Sequence, residues 1–160
     1  MSAASKIHEL PSLLLEVARV RRDGHSIALA NGLFDILHVG HLRYLEAAAA
    51  TADRLLVAVN SDRSARELRE PGRPVLPERE RAELIAGFGC VWLVTVFDTR
   101  TVEPLLRACR PDVHCKGTDY SVDTVPEVAV TRELGIRVAI VGDEKRHASR
   151  DIIRRLKRGE

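Results

Sequence analysis

Apolar positions along this chain follow two rhythms in alternation. From Ser12 to Gly24, "SLLLEVARVRRDG" places them at helical spacing, with Arg21 and Arg22 in the last turn and Gly24 as a stop. "SIALAN" then reads as a short buried strand and "VGHLRYLEAAAATA" as a helix. "RLLVAVN", Arg54 to Asn60, is a continuous apolar run suited to a sheet covered on both faces. "LPERERAELIAGFG", Leu76 to Gly89, predicts a helix with Pro77 in its first turn. "VWLVTV" (Val91 to Val96) is a strand, and "TVEPLLRACR" a helix with Pro104 near its start. "DVHCKG" (Asp112 to Gly117), "PEVAVTRELG", "IRVAIVG" (Ile136 to Gly142) and "SRDIIRRLKR" continue as strand, helix, strand and helix.

Such alternation implies βαβ crossovers and a parallel sheet. The expected fold is one doubly wound α/β domain over residues 1–160, with a five-stranded parallel sheet. Residues 1–24 form an N-terminal segment and helix, and 25–160 the α/β core. The residues through Pro11 are weakly patterned, and there is no repeat, low-complexity tract or linker.

Composition narrows the class. The 160 residues are 45% hydrophobic and 30% charged, a soluble globular balance. Net charge is only +2, with basic and acidic residues mixed, so no broad nucleic-acid footprint is expected; a small anionic substrate needs only a local basic cluster. Cys90, Cys109 and Cys115 are odd in number and form no CxxC pair, and no signal peptide precedes them. They read as reduced thiols of a cytoplasmic protein. No apolar run is long enough to span a membrane, so no membrane partner is expected.

The chemistry concentrates in "NGLFDILHVGH", Asn31 to His41, where a strand turns into a helix. In an open parallel sheet, ligands bind outside the carboxyl ends of the strands where strand order reverses. A helix starting near His38 would point backbone N–H groups and a positive dipole end into that crevice, which suits a phosphate. Gly32 and Gly40 permit close backbone approach. His38 and His41, three apart, share one face of the first turn and could donate hydrogen bonds to a growing negative charge. One histidine near a helix start is usually structural; two at this spacing in this turn argue for a ligand. A protein-held metal is not expected, because helical metal pairs favour i and i+4 and no third ligand stands at a telling distance. The GxGxxG and GxxxxGK[ST] phosphate loops are both absent.

"GLFDILHVGH" resembles the GxFDxxHxGH signature of the cytidylyltransferase-like nucleotidyltransferases, and the likeness runs over residues 27–157. "RYLEAA", "DRLLVAVNSD", "GRPVLPERER", "KGTDY" and "DIIRRL" look like the branch that makes nucleoside-diphosphate heptose. The resemblance implies a Rossmann-like nucleotidyltransferase fold and transfer of an adenylyl group from ATP to D-glycero-β-D-manno-heptose 1-phosphate, releasing pyrophosphate. It also implies Mg²⁺ arriving with ATP, a homodimer, and a sugar kinase on another chain. A cytidylyl- or adenylyltransferase acting on another small phosphate, such as glycerol phosphate, shares the turn motif. A non-catalytic nucleotide-binding protein is a third reading.

By the same resemblance His38 and His41 would contact the triphosphate in the transition state. Asn31, Gly32, Leu33, Phe34 and Gly40 would meet the nucleotide, Leu33 and Phe34 mainly through backbone. Lys116, Gly117 and Asp119 of "HCKGTDY" would join them from the fourth strand's end, although a lysine closing a strand is often a snorkelling end residue. Arg81 and Arg69 would hold substrate phosphate, the bland alternative for Arg81 being a solvated helix face. Asp35 is either a substrate-side carboxylate or an acid ordering the turn. His114 reads as structural, while His8 and His25 carry no signal.

Two positions depart from the pattern. Arg69 stands where relatives often carry lysine. The late S-[ST]-[ST] motif reads "HASRD": Ser149 remains to cap the last helix, but Ala148 lacks a hydroxyl and Arg150 is a bulky cation that could itself reach a phosphate.

Overall fold

The computed structural model describes residues 2–143 and 149–159, apart from the side chains of residues 149 and 150. Among these, β1 (Ile27–Gly32), β2 (Arg54–Asn60), β3 (Leu93–Phe97), β4 (Val113–Lys116) and β5 (Arg137–Ile140) form one sheet in the order β3-β2-β1-β4-β5, and every pairing is parallel. The helices are α1 (Leu10–Arg22), α2 (Val39–Ala49), α3 (Asp62–Leu68), α4 (Glu78–Ala86), α5 (Glu103–Cys109), α6 (Val128–Leu134) and α7 (Ser149–Arg158).

Alternate strand residues serve opposite faces, as the pleat requires. Ile27, Leu29, Leu56, Ala58 and Leu93 pack beneath α1, α5 and α6, through Leu13, Val17, Leu106 and Val130. Ala28, Ala30, Leu55, Val57 and Val94 pack beneath α2 and α4, through Leu45, Ala48, Ala82 and Ile85. The sheet is covered on both faces, which is why β2 is apolar from Leu55 to Val59.

β2 has the bounds its pattern predicts. Elsewhere the differences have local causes. Helix α1 begins before Ser12 because Pro11 sits in its first turn, where a missing N–H costs nothing, and Gly24 ends the segment at φ +79°. Helix α2 stops at Ala49, with the Thr51 hydroxyl donating to the Ala48 carbonyl (2.7 Å). Pro77 is the N-cap of α4 rather than a residue of its first turn. The short helix α3 is not among the expected elements. It is capped by Ser61, whose Oγ accepts from the Ser64 N–H (3.0 Å). The weakly patterned N-terminus joins the fold: Ile7 bridges to Val94, and the Lys6 ammonium donates to the carbonyls of Phe88 and Val91.

Strand order reverses between β1 and β4. Ala30 lies opposite Cys115, so Asn31 and Lys116 emerge together at the carboxyl edge of the sheet.

Candidate active site

The turn after β1 is held by side chains doing backbone work. His38 is the N-cap of α2 in extended conformation, and its Nδ1 accepts from the Gly40 N–H (3.2 Å). The His38 N–H in turn donates to His41 Nδ1 (3.3 Å), closing a reciprocal capping box made of imidazoles. The rings lie 4.0 Å apart between centroids, and Phe34 meets the His41 ring edge-on at 5.5 Å. With each Nδ1 accepting, a neutral ring carries its proton on Nε2, so each histidine's N–H donor is Nε2.

Phe34 is 4% exposed at φ +50°, a left-handed backbone that lets its ring fold back over the turn. A Cβ on Gly32 would come within 3.2 Å of that ring, which explains glycine there. Phe34 can therefore meet a nucleotide through backbone, but its side chain belongs to the core.

Asp35 and Arg81, both expected on the substrate, have protein groups as all their described partners. The Asp35 carboxylate is buried and accepts from Arg73 Nε and from the backbone N–H groups of Val75 and Leu76. Burial would raise its pKa, but the Leu76, Val75 and Arg73 hydrogen bonds outweigh that and hold it below the usual carboxylate range. These contacts fit the turn-ordering alternative. Arg81 is fully buried, which removes the solvated-face alternative. Its Nε donates to the Leu76 carbonyl (2.9 Å), one terminal nitrogen to the Leu33 carbonyl (2.6 Å) and the other to Asp62 (2.9 Å). The Leu33 carbonyl is thus taken by protein.

Segment 73–76 is in this way strapped to the histidine turn. Beyond it Arg66, Arg69, Glu70, Gly72 and Arg73 line a cavity of about 370 Å³. Arg69 is exposed, and among the described residues neither it nor Arg66 has an acidic partner within ion-pair distance. Sequence reasoning missed Arg73, although it lies inside the quoted "GRPV".

At the end of β4, Lys116 is buried with its ammonium 3.4 Å from Glu127 Oε2, 3.4 Å from Asn31 Oδ1 and 5.0 Å from the Tyr120 ring. His114 Nε2 lies 3.0 Å from the same Asn31 oxygen. Burial, aided by the Lys116 charge, pushes the His114 imidazole down to about 3, so it is neutral and donates from Nε2. A Cβ on Gly117 would come within 3.0 Å of Asp119 Oδ1, so glycine lets that carboxylate fold back. Burial raises the Tyr120 phenol, with the Asp119 and Glu127 charges adding and the Arg69 charge opposing. Glu127, the buried carboxylate here, was missed; its one signal was an acid between Pro126 and an apolar helix.

Helix α7 begins at Ser149, as its pattern predicts. Ala148 and the side chains of Ser149 and Arg150 lie outside the described residues, so the altered late motif has no structural account. No group of three His, Cys, Asp or Glu suited to a metal occurs among the described residues, and no described helix is long and apolar enough to cross a membrane.

The doubly wound sheet, with a histidine-capped helix at its switch point, defines an α/β protein whose crevice opens at the carboxyl edge of β1 and β4. Residues 29–155 match the cytidylyltransferase-like family, and the chain belongs to it, as a nucleotidyltransferase. It is 42% identical over 153 residues to the bifunctional protein HldE of Methylobacillus flagellatus, covering 96% of this chain and 31% of the relative. With the bifunctional protein HldE of Koribacter versatilis it shares 46% identity over 139 residues, 87% of this chain and 29% of the relative. The chain thus spans under a third of the length of these curated relatives. In fold it is similar to the lipopolysaccharide core biosynthesis protein from Thermoplasma volcanium, with a TM-score of 0.66 and 24% identity over 76% of this chain and 100% of the other.

Proposed function

We propose that this nucleotidyltransferase passes an adenylyl group from ATP to D-glycero-β-D-manno-heptose 1-phosphate. An acceptor phosphate oxygen attacks the α-phosphorus, the bond to the leaving oxygen breaks, and pyrophosphate departs. The observation that carries this reading is the imidazole capping box: it presents two Nε2–H donors, together with the N-terminus of α2, at the switch point of the sheet. Such a step needs positioning and charge stabilisation more than covalent chemistry.

In this reading His38 and His41 stabilise the reacting phosphates. Asn31, Gly32, Gly40 and the backbone of Leu33 and Phe34 line the nucleotide, joined by Lys116 at the end of β4 and by Gly117 and Asp119 on the loop after it, and Ser149 and Arg150 are further nucleotide contacts. Arg69 binds the acceptor phosphate, and Asp35 and Arg81 serve the acceptor by holding its loop. Mg²⁺ arrives on the triphosphate, as suits an ion that seldom depends on an all-protein cage. The enzyme acts in the cytoplasm as a homodimer, and a sugar kinase activity supplies its acceptor. The "Bifunctional protein HldE" relatives support the choice of branch.

The test is a pyrophosphate-release screen of ATP, CTP, GTP and UTP against a panel of sugar and polyol phosphates. Release with ATP and the heptose 1-phosphate is expected. Release that needs CTP or glycerol phosphate would move the protein to another branch. Thermal stabilisation by nucleotide without release would make it a non-catalytic binder.

A further inference from the structure

The Lys116–Glu127 pair raises a question that the roles above leave unanswered. Glu127 is 97% buried by side chain, yet it stands at the N-cap position of α6 without making a capping hydrogen bond. Its Oε2 receives no well-aligned hydrogen bond from the described residues and lies 3.4 Å from the Lys116 ammonium. A buried carboxylate is tolerated when a cation balances it, and Lys116 is that cation.

The other side of the ammonium is arranged as carefully. Neutral His114 donates from Nε2 to Asn31 Oδ1, which fixes the amide with its oxygen toward Lys116. One ammonium N–H goes to Asn31 Oδ1, 3.4 Å away, while Glu127 Oε2, also at 3.4 Å, balances the charge without receiving a well-aligned hydrogen bond, and the two together hold the ammonium at the carboxyl edge of β4. The other groups around Lys116 are Tyr120, beneath its charge, and Asp119, which follows it on the same loop and acts electrostatically on Tyr44 and Tyr120.

We propose that Glu127 is a positioning residue, which holds the Lys116 ammonium at the carboxyl edge of β4 so that it meets a nucleotide phosphate. This rests on the reading of Lys116 as a nucleotide contact. Without the carboxylate, the buried ammonium loses the charge that balances and anchors it.

The experiment titrates ATP calorimetrically into the wild type, Glu127→Gln, Glu127→Asp, Lys116→Met and the double variant Lys116→Met/Glu127→Gln, and circular dichroism checks folding. Glu127→Gln should weaken ATP binding roughly 10-fold. Glu127→Asp should recover most of this, and Glu127→Gln should add nothing in the Lys116→Met background. Unweakened binding by Glu127→Gln, or a full additive loss in the double variant, overturns the role of Glu127. ATP binding by Lys116→Met at wild-type strength separately ends the reading of Lys116 as a nucleotide contact.

Discussion

His38 and His41 are fastened to the backbone of their own turn. Each spends Nδ1 on a backbone N–H, and protonating that nitrogen would set two donors face to face. Under the proposed mechanism the neutral rings act as oriented dipoles, and their hydrogen bonds strengthen as charge builds on the phosphates. His41→Ala should therefore lower turnover at least ~100-fold while ATP affinity changes much less. It should also cost about 1 kcal/mol of stability through the lost cap. His41→Gln can restore the capping-box bond, so it should recover the melting temperature without recovering turnover. Steady-state kinetics and thermal unfolding check both halves, and near-normal turnover in either variant would rule out charge stabilisation by His41. That the two rings share the first turn of α2 was legible in the sequence from their spacing. Their capping role was not, because a ring-to-backbone bond depends on a φ and ψ at His38 that no pattern encodes. Asp35 stayed ambiguous for a similar reason: its partners come from Arg73, Val75 and Leu76, far along the chain.

Between elements, Arg81 of α4 is the joint. One guanidinium ties the turn after β1, the start of α3 and the strap before α4. Arg81→Ala strands the Leu33 and Leu76 carbonyls and leaves the partly exposed Asp62 unpaired, and should destabilise the protein by about 2–4 kcal/mol, as buried acceptors left unsatisfied do. Arg81→Lys should recover only part, because a single ammonium cannot reproduce the planar fork. Urea unfolding of both variants measures the difference; a loss below 1 kcal/mol in Arg81→Ala would show that the joint is dispensable. The long apolar strands and amphipathic helices were readable because burial on a sheet imposes their periods. Helix α3 was not readable: seven residues carry too little periodicity, and its one cue was a serine three residues before another at Ser61 and Ser64. Arg81 looked like part of a charged run because α4 alternates acids and bases, and only the tertiary joint takes one of those charges inside.

At the scale of the molecule, acid should find His114 first. Its pKa is about 3 in the fold against an ordinary 6.5. Below 6.5 the unfolded chain takes up a proton that the native chain refuses, so stability falls as pH drops from 6.5 toward 3; above 6.5 this residue contributes no pH dependence. Asp35, held below its usual range, loses its share only at still lower pH. Melting temperatures should decline between pH 6.5 and 4.5 in the wild type, and His114→Gln should flatten that decline. An equal decline in both proteins would exonerate the histidine. The parallel, doubly covered sheet followed from the alternation of strands and helices. The alternation did not fix which strands are neighbours, because register and order are settled by pairing across long separations.

That order has a consequence for a chain being made. β1 leaves the ribosome long before its second neighbour, and until β4 arrives one side of the central strand is an open, apolar edge from Ala28 to Ala30. Such edges recruit other nascent chains, so synthesis interrupted after β3 would release a protein with half a crevice and an adhesive flank. The segment that ends this exposure is "VHCK", Val113 to Lys116. The same four residues that seal the central strand bring Lys116 beside Asn31, so the strand that closes the middle of the sheet also assembles the cluster at its switch point.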